Sequence, residues 1–212
     1  MTIPVPKGGG DSPEAGAYAG VIAKVWDVGN HVTEYEGHKE IKRQLCIAVE
    51  LDGDMAGWIG ENHDRQHVMF DKVNFPMFWP GKRNSSLWQY AEVALGEKGA
   101  VDIKDFEQIE GAGVQVGIRA GTKRSYVKTI SPLMKGTPTP KVLGDYSEPW
   151  GLAKYLIEHQ ISDEDAARMK AEWAAEEDRK RAEQEAAEFS APVRGADDIE
   201  PELDEDGRPL PF

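Results

Sequence analysis

Aromatic and basic residues are interleaved at several points along the chain, and this is the clearest chemical signal in the sequence. Flat rings accept stacked bases and cations follow phosphates, so the combination suits single-stranded nucleic acid, DNA or RNA. For any one ring, packing in a protein core is the alternative. The predicted contact residues are Lys24, Trp26, Tyr35, Lys42, Arg43, Trp79, Lys82, Arg83, Lys123, Arg124, Tyr126 and Lys128.

The overall charge argues against such a ligand until it is located along the chain. The 212 residues carry 25 Lys and Arg against 38 Asp and Glu, a net charge of −13. Much of this excess lies after residue 150. Residues 113–141 contain no acid and six cations, which are Arg119, Lys123, Arg124, Lys128, Lys135 and Lys141. A basic stretch followed by an acidic tail is a charge asymmetry typical of nucleic-acid-binding chains.

Residue patterns for other chemistries are missing from the sequence. It holds no GxSxG, GxxxxGK[ST], GxGxxG or HExxH motif, so we predict that the protein is not an enzyme. The single cysteine, Cys46, excludes a disulfide framework and a cysteine-based zinc cluster. His63 and His67 are four residues apart but lack further ligands. We therefore expect neither a metal nor a cofactor.

Alternating polarity predicts a β-rich domain over residues 17–147. In residues 19–26 and 41–51 the odd positions are mostly apolar, which predicts one buried face for each strand. The opposite, exposed faces then carry Lys24, Trp26, Lys42 and Gln44. A polar loop is expected over residues 29–39.

Three further strands are predicted, over residues 66–72, 114–118 and 123–130. A helix precedes the last two; Ser86 and Gln89 form a capping-box pattern at its start, and Gly96 suits its end. Five strands with a helix between the third and fourth is the order of a five-stranded OB-fold barrel, so the predicted fold is mainly β. The pattern leaves small sandwiches open.

The remaining segments are predicted to lie outside this barrel. Residues 1–16 are rich in Gly and Pro, and 191–212 are acidic and poor in apolar residues, so both are expected to be disordered. Residues 148–190 are predicted to form a helical extension. Its part from Ser162 to about Glu188 has a thin apolar stripe, Ala166, Met169 and Trp173, and is expected to be loosely attached. Deletion after residue 150 is then expected to leave a folded barrel.

The acidic tail carries a resemblance of its own. Seven acids between Asp197 and Asp206 precede Pro209-Leu210-Pro211-Phe212. This resembles the tail of bacterial-type single-stranded DNA-binding proteins, which end in Ile-Pro-Phe after an acidic run; here Leu210 replaces Ile, and three residues separate the acids from the tip. The resemblance implies that replication or recombination proteins bind Asp204, Glu205, Asp206, Pro211 and Phe212.

A series of short motifs extends the resemblance into the domain. They are, in order, Val25-Trp26-Asp27-Val28-Gly29, Tyr35-Glu36-Gly37, Val49-Glu50-Leu51, Ser85-Ser86-Leu87 and Lys135-Gly136 with Pro140. Over roughly residues 17–141, the chain resembles phage-encoded OB-fold single-stranded DNA-binding proteins. It departs from them in the insertion over residues 53–65 and in the helical extension.

Together these observations predict sequence-independent binding of single-stranded DNA in phage replication or recombination. A non-catalytic protein-interaction module, whose acidic tail mimics DNA or docks a partner, is the alternative, and an enzyme such as a nuclease accessory is a second one. No stretch approaches the ~20 apolar residues of a membrane helix, and no secretory signal precedes the domain, so we expect a bacterial host cytoplasm and no membrane partner. The sequence does not decide between a monomer and a homo-oligomer.

Overall fold

The structure, a computed structural model, describes residues 13–59, 65–76, 79, 83, 85–121 and 125–190. It is mainly β, as predicted, with helices towards the end of the chain. In chain order the elements are β1 (Gly16–Tyr35), β2 (His38–Leu51), α1 (Gly53–Ala56), β3 (Trp58–Ile59), β4 (Arg65–Gln66), β5 (Val68–Asn74), α2 (Ser86–Asp102), a 3-10 turn (Phe106–Ile109), β6 (Gly113–Ala120), β7 (Ser125–Pro132), α3 (Gly151–Glu158) and α4 (Asp163–Ser190).

Five strands form one antiparallel sheet in the order β5-β2-β1-β6-β7. The long strand β1 pairs with β2 along its length and with β6 along its first residues. The two edge strands, β5 and β7, approach each other to within 8 Å between Cα atoms but share no hydrogen-bonded ladder in the described residues. The sheet is therefore curled but open.

One face of the sheet packs on α2 and forms the main core. The odd residues of β2 that were predicted to be buried, from Leu45 to Leu51, lie in this core. The N-cap of α2 is Ser85 and not the predicted Ser86, since the Ser85 hydroxyl accepts from the Trp88 N–H at 3.2 Å. The helix therefore begins one residue earlier than predicted. At Gly96 a positive φ of 73° interrupts the helix, which then resumes as far as Asp102.

The opposite face of the sheet is covered in part, so the prediction of exposed side chains there was wrong for Trp26 and Gln44, whereas Lys42 is exposed as predicted. Trp26 is 8% exposed and Gln44 is 1% exposed. Trp26 is buried because the chain beyond residue 145 returns across this part of the outer face, where Tyr146 packs on its ring. The second core consists of Trp26, Val28, Cys46, Ala48, Tyr146, Ala153 and Leu156.

The helical extension consequently consists of two different parts. Helix α3 contributes Ala153 and Leu156 to the second core and is therefore packed on the sheet, whereas the expected loose attachment concerned only residues 162–188. The compact unit that contains the sheet runs to Ala166, and the chain from Ala167 onward forms a second unit.

Helix α4 continues through the second unit as a charged surface helix. The predicted pair Glu176–Lys180 forms, at 2.7 Å between Oε1 and Nζ, whereas Arg181 pairs with Asp178 at 3.7 Å and not with the predicted Glu177. Within the described residues, no helix is long and apolar enough to span a membrane.

The segment predicted as a polar loop is a β-hairpin arm. Residues 29–35 and 38–44 pair with each other across a two-residue turn, in which Glu36 and Gly37 have φ of 51° and 82°. Positive φ at both central residues matches the right-handed twist of the strands, so the turn continues the ladder. Asn30, at the base of this arm, accepts from the Ile161 N–H at 2.8 Å through its carbonyl.

Candidate nucleic-acid interface

The β6–β7 hairpin carries the acid-free segment of the sequence on a regular two-stranded ladder. Arg119 lies directly opposite Tyr126 in the register, so both side chains project from the same face. That face points away from the main core, because its neighbours Val116 and Ile118 point inward. Tyr126 is 43% exposed, and Arg119 is exposed as well. The pair presents a ring and a guanidinium side by side to solvent.

A bulge places Lys128 beside this pair. Gly117 pairs with Thr129 and Ile118 with Val127, which leaves Lys128 as the extra residue of β7. It is exposed. A bulge with a charged residue on an edge strand also protects that edge from pairing with another chain, so this placement has a structural use too.

The surface between these side chains is shallow. Gly117 has no room for a side chain, because a Cβ there would collide with the Thr129 hydroxyl. The Thr129 side chain therefore lies over Gly117, and the outer face of the hairpin holds small groups between the ring and the cations.

The described cations of this segment have no acidic partner among the described residues. Within the described part of the chain, no ion pair involves Arg119, Lys128, Lys135 or Lys141. All four are exposed. Because a phosphate does not have to displace a carboxylate from these cations, this segment is the most available anion-binding surface among the described residues.

By contrast, Lys24 on β1 is held by two acids. Its Nζ lies 3.1 Å from Glu110 Oε1 and 3.8 Å from Glu107 Oε1. The hydrogen bond to Glu110 raises the pKa of Lys24 above its ordinary value, against the opposing effect of burial. Glu110 also accepts from the Val25 N–H at 3.0 Å, so the pair ties β1 to the turn before β6.

The predicted cations of the hairpin arm are paired as well. Arg43 Nε donates to Asp27 Oδ2 at 2.9 Å, and this bond and its Coulomb attraction raise the pKa of Arg43. Although burial opposes it, the same pairing and the Gly29 N–H lower the pKa of Asp27. Lys42 pairs with Glu40. Tyr35 ends β1, and its side chain lies outside the described part of the structure.

Two of the predicted DNA contacts before α2, Trp79 and Arg83, instead make contacts within the protein. Trp79 donates from Nε1 to the Ala100 carbonyl at 2.8 Å, and its ring meets Phe106 edge-on at 4.9 Å between centroids. Arg83 binds Glu97 at 2.6 Å between Nη1 and Oε1, and its guanidinium carbon lies 5.5 Å from the Trp88 ring centroid. Trp79 thus packs against the main core, and Arg83 is held by Glu97 and the Trp88 ring.

Trp26 has no face free for a base, since its ring packs against Phe70 and Tyr146 at centroid distances of 6.3 and 6.1 Å. The remaining predictions fall outside the described residues: Lys82, Lys123, Arg124, Asp204, Glu205, Asp206, Pro211 and Phe212.

The structure thus does not gather the described members of the predicted contacts into one site. Gly16, at one end of β1, lies beside Ile118 and so near the β6–β7 turn, whereas Tyr35 at the other end lies in the arm. Of the predicted contacts in the acid-free segment, only Tyr126 and Lys128 are among the described residues. Arg119 was absent from the predicted contacts. The sequence signal for Arg119 was the lack of acids in the surrounding segment, because its position opposite Tyr126 depends on the β6–β7 strand register.

Among the described residues, no group of His, Cys, Asp or Glu is arranged to hold a metal ion. Comparison with known proteins gives no match to a family model, to a curated protein or to a solved structure.

Proposed function

We propose that this chain binds single-stranded DNA without sequence preference, through the outer face of the β6–β7 hairpin. The observation that carries the proposal is that an exposed ring, Tyr126, and the cations Arg119 and Lys128, unpaired within the described residues, lie together on one hairpin whose sequence contains no acid. The cations would hold phosphates and release their counterions. The ring would stack on a base, worth roughly 1–3 kcal/mol, and every base offers such a π-face.

The topology supports an OB-like assignment of this site. Omitting the short β3–β4 pair, β6 and β7 are the fourth and fifth strands, and α2 lies between the third and fourth. An OB-fold is a partly open five-stranded barrel that binds oligonucleotides with its strand 2–3 face and with the loops between strands 1–2 and 4–5. The β6–β7 turn corresponds to the last of these loops. Lys123 and Arg124 lie there in the sequence.

The biological setting proposed is phage DNA replication or recombination in the host cytoplasm. The protein would act without catalysis, as a cover for exposed single strands. The acidic tail, through residues 204–206 and the tip Pro211-Phe212, would recruit partner proteins of the same process.

Fluorescence anisotropy with labelled oligo-dT and with a duplex of equal length tests the proposal. We expect oligo-dT to bind at least tenfold more tightly than the duplex at moderate salt. Absence of binding to both would overturn the proposal in favour of a protein-interaction module. Metal-dependent degradation of either probe would instead indicate an enzyme.

A further inference from the structure

We propose that Trp150 is a second base-stacking position for single-stranded DNA; this inference rests on the proposed function. Of the six tryptophans, all of them described, Trp150 alone is exposed, at 39%. A large apolar ring that stays partly in contact with water does not gain the full free energy of burial. A flat ligand that covers the ring would provide part of this free energy.

The Trp150 ring is held in place before any ligand arrives. It meets Phe70 edge-on at 4.8 Å between centroids and lies 6.1 Å from Tyr146. The next residue, Gly151, has φ +57°, and a Cβ there would lie 2.9 Å from the Phe70 ring. Because the backbone and the ring both contact Phe70, the exposed face of Trp150 is fixed, and stacking a base would cost little ordering entropy.

The indole N–H of Trp150 is available as a donor. Trp58, Trp79 and Trp88 each donate this group to an oxygen of the protein, at 3.1, 2.8 and 2.9 Å. Trp150 has no such acceptor within the described residues. A partly exposed ring with an unused donor can stack on a base and also donate to a phosphate or a base edge.

Two cations lie near this ring. Lys72 follows Phe70 by two residues on the unbroken ladder of β5, so it projects from the same face. Lys154 lies one helical turn after Trp150, and its N–H faces the Trp150 carbonyl. Both are exposed, and neither forms an ion pair with a described residue. Glu148, also exposed, is the acid nearest in sequence and opposes them.

The position also suits a strand that is bound at the β6–β7 hairpin. Phe70 and Lys72 belong to β5, the edge strand that approaches β7 across the open side of the sheet. One oligonucleotide could therefore contact Tyr126 and Trp150 together.

Fluorine NMR of the full chain labelled with 5-fluorotryptophan tests the inference, with Trp150→Phe used to assign the Trp150 resonance. At saturating oligo-dT we expect this resonance to shift and that of Trp88, which is 1% exposed, to stay in place. We expect Trp150→Leu, which keeps an apolar contact with Phe70, to weaken oligo-dT binding roughly 5- to 150-fold, and Trp150→Phe to restore most of the affinity.

The outcomes separate this inference from the proposed function. An unmoved Trp150 resonance in a protein that binds oligo-dT overturns the inference alone, and so does wild-type affinity of Trp150→Leu. If Trp150→Leu and Trp150→Phe both lose affinity and thermal stability to the same extent, the role of Trp150 is packing and the inference fails. If the wild-type chain does not bind oligo-dT, the proposed function itself fails.

Discussion

The Tyr146 hydroxyl donates to Oε2 of the buried Glu50 carboxylate at 2.9 Å. The same carboxylate accepts from the backbone N–H groups of Leu143 and Gly144 at 3.0 and 3.2 Å. The side-chain amide of Gln66 completes the set when its nitrogen faces Glu50, 3.1 Å away. One carboxylate on β2 thus fixes the segment that leads across the outer face of the sheet towards α3.

Glu50→Gln should destabilise the fold, because an amide nitrogen would then face hydrogen-bond donors in a site with 1% exposure. We expect a loss of about 1–3 kcal/mol in the free energy of unfolding, measured by urea denaturation. The matched control is Glu40→Gln, at an exposed carboxylate, whose substitution should change the free energy of unfolding much less. Equal effects of the two substitutions would show that the Glu50 contacts contribute no net stability.

Leu156→Ala tests whether α3 is part of the folded domain. The Leu156 side chain is 6% exposed in the second core, so its truncation should cost about 2–5 kcal/mol in the free energy of unfolding. Leu143→Ala is the control, since Leu143 is 51% exposed and its truncation leaves no cavity. A loss for Leu156→Ala no larger than that of the control would support the expectation from the sequence that the barrel folds without the residues after 150.

The alternation in β2 correctly indicated its core-facing side, because a two-residue period is a property of the strand itself. It did not indicate that Trp26 is buried, since the covering residues, Tyr146 and Ala153, come more than 100 positions later. Bulges between Ile22 and Lys24 and between Asp27 and Gly29 also break the alternation in β1. Period-based reasoning cannot anticipate either effect.

The candidate DNA-binding site was likewise predictable only in part. The lack of acids in residues 113–141 is visible in the sequence, and in the structure the described cations there are unpaired. Whether an acid neutralises a given cation depends on tertiary contacts. Lys24, for example, is paired with Glu110, which lies 86 positions away in the sequence. Trp150 is absent from the predicted contacts, because its exposure depends on the tertiary packing that places its ring edge-on to Phe70.

Asp71 should make stability depend on pH. Burial raises its pKa above the ordinary aspartate value, against hydrogen bonds from the Tyr90 hydroxyl and the Lys72 N–H that lower it. The folded state therefore binds this proton more tightly than the unfolded state, and its stability falls as pH rises from about 4 through the raised pKa. Asp71→Asn keeps an acceptor for Tyr90 but does not titrate.

Urea denaturation of both proteins at a series of pH values measures this effect. The stability of Asp71→Asn relative to wild type should increase with pH across that window and then level off. A difference that does not vary with pH would show that the Asp71 pKa is the same in both states.

The acidic tail is predicted to compete with DNA for the basic surface. Residues 191–212 hold seven acids and two arginines, and a tethered anion acts at a high effective concentration when its linker can reach. Deleting residues 204–212 should raise oligo-dT affinity, more at low than at high salt, whereas Phe212→Ala should leave it unchanged and abolish partner capture in pull-downs from infected cells. If the deletion changes neither the oligo-dT affinity nor the partner capture, the tail contributes only to solubility.

The most direct test of the central claim is the salt dependence of oligo-dT affinity for Arg119→Glu/Lys128→Glu. Each lost phosphate contact should reduce the slope of log K against log salt by about 0.7, so the double variant should flatten it by about 1.4. The charge-matched control is Lys98→Glu/Lys104→Glu, at two exposed lysines that are not part of the hairpin, and its slope should stay at the wild-type value. A slope for Arg119→Glu/Lys128→Glu equal to that of wild type would contradict the assignment of the β6–β7 hairpin as the DNA-binding surface.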